Sequence, residues 1–135
     1  MRIVVDTNIA FCALASRGGS LGIGLTTHSE HVFFAPRFLL VELFKHKERI
    51  LRATKLPEDD LLEAFSILIE SLQLVDASSI PLGVWMEARR LCDGIDLKDT
   101  PFIAMCLHLN AVLWTADSEL KVGLKSKGFD HFYTM

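Results

Sequence analysis

Five carboxylates occupy positions where a side chain can do chemistry rather than only keep the chain soluble: Asp6, Glu42, Asp96, Asp99 and Asp117. Asp6 follows the β-branched run Ile3-Val4-Val5, and Asp117 follows Val112-Leu113-Trp114-Thr115. Both runs read as strands, and an open α/β sheet binds its ligands beyond the carboxyl ends of its strands. Asp99 precedes Thr100-Pro101-Phe102, where the proline marks a first helical turn, and Asp96 lies three residues earlier in the loop. Glu42 is set in the apolar helical stretch Phe38-Leu39-Leu40-Val41-Glu42-Leu43-Phe44, as an acid directed at a cleft would be. Each acid alone has a plainer reading. Asp6 ends a strand, Asp99 and Asp117 cap helices, and Glu42 sits on a solvated face. Taken together they converge, provided the first strand and the strand before Asp117 are neighbours.

Two unit charges about 4 Å apart repel by about 4 kcal/mol at an effective dielectric near 20. A cluster of carboxylates therefore persists where cations neutralise it or where some acids stay protonated. Oxygen ligands select hard cations, here Mg²⁺ or Mn²⁺. One or two such ions can bind a phosphodiester oxygen, generate hydroxide from water and stabilise the leaving oxygen, with no nucleophilic side chain. Asp6, Glu42, Asp99 and Asp117 are the candidate catalytic acids, and Asp96 joins them as a candidate metal ligand.

The elements that must position these acids alternate along the chain. Strands are expected over 3–5, 31–35, 74–75 and 112–115, with a last one over 131–133. Helices are expected over 9–15, 37–54, from Pro57 through the stripe Leu61, Leu62, Phe65, Leu68, Ile69 and Leu72, then over 81–92, 100–110 and 118–127. Pro36 should stop the second strand, and Asp93-Gly94 and Gly128 should stop helices. Alternation of this kind argues for a three-layer α/β/α sandwich around a mostly parallel central sheet. The glycine-rich stretch 18–30 is not assigned. A chain of 135 residues, half of them apolar, suits one domain over 1–135.

Fourteen basic against seventeen acidic residues give a formal charge of −3, which is not the positive excess of a typical nucleic-acid binder. Charge distribution matters more than the sum, and a cation site itself contributes acid. Cys12, Cys92 and Cys106 are widely spaced and lie in apolar stretches, so buried reduced thiols are expected rather than zinc or disulfides. No signal peptide and no apolar run of about 18 residues is visible. A soluble protein of the cytoplasm, without membrane contact, is the expectation.

Val4-Val5-Asp6-Thr7-Asn8, Leu40-Val41-Glu42-Leu43, Asp96-Leu97-Lys98-Asp99-Thr100-Pro101-Phe102-Ile103-Ala104 and Trp114-Thr115-Ala116-Asp117 resemble, in order and spacing, the four acidic motifs of PIN domains. The resemblance spans nearly the whole chain. It implies a parallel sheet flanked by helices and Mg²⁺- or Mn²⁺-dependent hydrolysis of RNA, leaving 5′-phosphate and 3′-hydroxyl ends. It also implies supporting roles for Thr7, Asn8, Thr115 and Ser118 in orienting the acids or bound water. Stand-alone chains of this length are similar to VapC-type toxins, which implies a homodimer and a cognate antitoxin. The competing reading within the family is a catalytically silent protein that acts through partners.

Beside the acids, Lys45, Arg49 and Arg52 fall at i, i+4 and i+7 of the expected 37–54 helix, a shared face suited to an RNA backbone or merely to solvent. His28 and His31 lack the further ligands a zinc site needs. Gly22-Ile23-Gly24 follows no strand and is no dinucleotide loop. Trp85 and Trp114 read as core residues. Asn8 occupies the place where a haloacid-dehalogenase-like phosphatase needs its second aspartate. The acidic pair and late lysine of a receiver domain are not evident.

Overall fold

A computed structural model describes residues 1–15, 30–54 and 56–134 of the chain. The N-terminal β-branched run forms β1 (Arg2–Val5), with Ile3, Val4 and Val5 wholly buried. Burial on both faces is what a parallel strand covered by helices on each side requires. Next come α1 (Thr7–Ala15), β2 (Val32–Pro36), α2 (Phe38–Lys45), α3 (Lys47–Thr54) and α4 (Glu58–Ser71). They are followed by β3 (Leu72–Val75), α5 (Leu82–Cys92), α6 (Thr100–Leu109), β4 (Val112–Trp114) and α7 (Ser118–Ser126).

The sheet has the order β3-β2-β1-β4, and every pairing is parallel. The chain winds from β1 towards β2 and β3 on one side and reaches β4 on the other, so the strand order reverses at β1. That reversal places a crevice between the carboxyl ends of β1 and β4, the usual ligand position of an open α/β sheet. The register Val5↔Trp114 brings Asp6 beside the end of β4, and the Asp6 N–H donates to the Trp114 carbonyl at 3.3 Å.

Helices cover both faces. α1 packs on α2, α3 and α4, while α6 lies across β1, β2 and β4 with α5 against it. Phe102, Ile103, Ala104, Met105 and Cys106 of α6 are consecutive and all buried, as expected of a helix that is apolar all round. No helix among the described residues is long and apolar enough to cross a membrane.

Several boundaries differ from expectation for physical reasons. α1 begins at Thr7, because the Asp6 side chain caps it by accepting from the Ile9 N–H at 2.9 Å. Pro36 ends β2 as a paired residue opposite Val75, and the Arg37 N–H makes the next hydrogen bond, to the Val75 carbonyl, that proline cannot extend from its own nitrogen. The helix expected over 37–54 is two helices. At His46 the backbone turns to φ −102°, ψ 15°, its N–H closing on the Leu43 carbonyl, and α3 starts anew with Ile50 N–H to the His46 carbonyl. The last strand is a single bridge from Phe132 to Leu113. Cys92 and Cys106 are buried, but Cys12 is exposed on α1, contrary to the expectation for all three. Trp114 is buried and Trp85 half-buried. Gly22, Gly24, His28 and all but the last residue of the 18–30 stretch lie outside the described residues.

Candidate active site

Asp6 leaves β1 buried, and each of its hydrogen bonds fixes its orientation. The Ile9 N–H caps it, the Thr115 hydroxyl bonds it, and the Asn8 backbone adds a third contact. Burial raises its pKa from the ordinary carboxylate value, with Asp117 raising it further, against the opposing pull of those three hydrogen bonds. Asp117 lies two residues beyond Thr115, which follows β4 as Asp6 follows β1, and it caps α7, its Oδ1 accepting from the Leu120 N–H at 3.1 Å. Thr115, buried between them, also accepts from the Asp117 N–H at 3.1 Å. One hydroxyl thus ties the two strand-end acids together. Thr115→Val keeps the shape and removes both bonds. We expect it to cost about 1–3 kcal/mol of unfolding free energy in urea titrations, because the buried Asp6 carboxylate and the half-buried Asp117 N–H each lose a partner.

Asp96 and Asp99 flank a single 3₁₀ turn, Leu97–Asp99, before α6. Asp96 nucleates it by accepting from the Lys98 N–H at 3.0 Å. The loop holding Asp96 is seated against α7 through Gly123, where a Cβ would stand 2.6 Å from Ile95 Cδ1. Asp99 occupies the cap position of α6, yet its side chain makes no capping bond. It is the acid not used to terminate an element, and its pKa is pushed up to about 7, first by burial and then by Asp96, Asp6 and Asp117. Glu42, half-buried on α2, faces His46 with its Oε2 4.0 Å from Nε2.

These acids meet in one cleft of about 200 Å³. Asp6, Glu42, Asp96 and Asp99 line it, together with Thr7 and Asn8. Asp117 stands behind that wall, close enough to act on both Asp6 and Asp99. Thr115 lies buried beneath. Ser118 lines a different depression, with Ile95 and Val122. Of the three basic residues expected on one face, Arg49 alone lines the cleft; Lys45 lies on the helix before the break at His46, and Arg52, on the helix of Arg49, does not line it.

His46, Lys98, Phe11, Phe38 and Phe102 also line it and were not singled out from sequence. The i, i+4 spacing of Glu42 and His46 was a usable signal for the first of them.

The donor set consists of carboxylate oxygens with no cysteine among them, which fits a hard cation. Among the described residues no group of three or more His, Cys, Asp or Glu encloses an ion as the side chains stand. An all-carboxylate donor set suits Mg²⁺-like ions, which keep several waters and take one or two carboxylates. It does not suit a closed zinc centre.

Fold and site together describe a parallel α/β protein with an acidic cleft at its switch point. A family model for the PIN domain matches residues 4–134, and the chain belongs to the PIN domain family. Among solved structures it is similar to a chain from the crystal structure of VapBC2 from Rickettsia felis bound to a DNA fragment from their promoter. The TM-score is 0.69 at 19% identity, covering 90% of this chain and 92% of that one, a likeness of fold. No curated protein matches the chain.

Proposed function

We propose that this chain is a divalent-cation-dependent endoribonuclease of VapC type, the toxin of a toxin–antitoxin pair. The observation that carries the reading is the convergence of Asp6, Glu42, Asp96 and Asp99 on one cleft, with Asp117 acting on two of them. Among the described residues that line the cleft, the acids are the groups placed to hold a cation and supply the chemistry.

When bound, Mg²⁺ or Mn²⁺ would neutralise the phosphate and activate water for in-line displacement. The protein's part is positional. Thr115 and the Ile9 N–H fix the Asp6 carboxylate, and the Leu120 N–H fixes that of Asp117. Asp99, free of capping, would hold the cation through its ionised carboxylate. Thr7 and Asn8 sit on the same wall and would orient bound water. The proposal carries with it action in the cytoplasm, a homodimer and a cognate antitoxin, as the resemblance to VapC-type toxins implies.

The test is twofold. Induced expression of the chain in a bacterial host should arrest growth, and Asp6→Asn, nearly isosteric, should abolish the arrest while the purified variant melts cooperatively. Cut RNA should carry 5′-phosphate ends that accept ligation without prior phosphorylation. Growth arrest by both proteins, or 5′-hydroxyl products, would contradict the reading.

A further inference from the structure

A cleft lined by four carboxylates repels a polyanion. A bound divalent cation would offset part of that charge, and fixed side-chain cations beside the acids would hold the strand's backbone there. Two side chains on the cleft wall are suited to that and to nothing else visible. Arg49 comes from α3, which packs on α1, and Lys98 comes from the 3₁₀ turn before α6, so the two reach the cleft from different elements. Neither makes an ion pair with any described residue, although carboxylates line the same cleft. By contrast, the cation-capable His46 faces Glu42.

Arg49 is also held in place. Its guanidinium carbon lies 4.5 Å from the centre of the Phe11 ring, which itself lines the cleft. A cation over an aromatic face is stabilised there without using its N–H donors, and a guanidinium so placed keeps the fork that suits a phosphate.

We propose that Arg49 and Lys98 are paired phosphate-binding positions that hold a single-stranded RNA backbone across the acidic cleft, with Phe11 as the platform that orients Arg49. This rests on the ribonuclease reading for the identity of the strand, and it replaces a basic helix face with two charges that reach the acidic cleft from different elements. Lys45 and Arg52 do not line the cleft and carry no part of it.

Binding of a fluorescein-labelled oligouridylate to the full chain carrying Asp99→Asn, followed by anisotropy across a salt series in Mg²⁺, tests the proposal. Each single-strand phosphate contact contributes about 0.7 to the slope of log K against log salt. Arg49→Ala and Lys98→Ala should each lower the slope by about 0.7, and Lys45→Ala should leave it unchanged. Phe11→Leu should weaken binding when Arg49 is present and have no effect in Arg49→Ala, the non-additivity expected of residues acting as a unit. Arg49→Gln repeats the test should Arg49→Ala melt at a lower temperature than its parent.

Unchanged slopes in the Arg49 and Lys98 variants would overturn the proposal, as would an equal loss in Lys45→Ala. So would binding of a poly-glutamate peptide in place of RNA, which would mark these cations as a protein-docking site. The two readings fail separately. Cleavage by wild type with unchanged slopes removes only the backbone clamp. Slopes that fall as stated in a protein that never cuts RNA uphold the clamp and remove the nuclease.

Discussion

Asp99→Asn should abolish cleavage and at the same time make the cation-free protein more stable. The loss follows from its position, because Asp99 lines the cleft with its side chain uncommitted to any capping bond. A cation's stabilisation of a phosphoryl transition state is worth several kcal/mol, so removing a ligand should slow cutting on the order of 10³-fold. The gain follows from the same crowding. Asp99 has its pKa pushed up to about 7 by burial and by its acidic neighbours. A carboxyl whose folded pKa exceeds its unfolded value binds more protons when folded, so its contribution to stability declines as pH rises from about 4 to about 7. Above pH 7 the ionised group opposes folding by on the order of 2 kcal/mol after allowance for solvent screening. Asn carries no such charge. Urea titrations at pH 8 without cation should show the variant to be the more stable protein, and at pH 4 the difference should vanish. A variant less stable at both pH values would make Asp99 a structural residue.

Adding Mg²⁺ or Mn²⁺ should reverse that pH dependence in the wild-type protein. A ligand that binds only the folded state at about 100 times its Kd contributes about 2.7 kcal/mol. For a chain of this size that corresponds to a rise of about 9 °C in Tm. Binding requires Asp99 ionised, so affinity should strengthen as pH rises through about 7, and the Tm increment should be larger at pH 8 than at pH 6. Differential scanning calorimetry at the two pH values, with and without cation, reads this directly. An increment of equal size at both, or one retained in Asp99→Asn, would place the cation elsewhere.

Asp6, Asp99 and Asp117 were legible in the sequence because each stands where an element changes, and Glu42 because it interrupts an apolar helical stretch. Asp6 and Asp117 follow apolar β-branched or aromatic runs that could only be buried strands, and Asp99 precedes a Thr-Pro helix start. The adjacency of β1 and β4 was conditional at that level and is settled by the Val5↔Trp114 register. The break at His46 carries no local signal. Neither proline nor glycine interrupts Lys45-His46-Lys47, and the buried Leu39, Leu43, Ile50 and Thr54 keep one helical spacing through the break. That is a tertiary preference overriding a continuous helical pattern. Lys98 was equally hidden, because its placement depends on a 3₁₀ turn that exists through one Asp96 side-chain bond. Cys12 lies among apolar neighbours in sequence, yet it falls on the outer side of α1.

The account stands or falls on whether the acidic cleft cuts RNA with the help of a divalent cation. The measurement is cleavage of one single-stranded and one structured RNA by the purified chain in Mn²⁺, in Mg²⁺ and in EDTA, beside Asp99→Asn under each condition. The predicted result is cutting by the wild type in Mn²⁺ or Mg²⁺, none in EDTA, and none by the variant under any condition. Cutting that survives EDTA, cutting by the variant at the wild-type rate, or a folded wild-type protein that leaves both RNAs intact would contradict it.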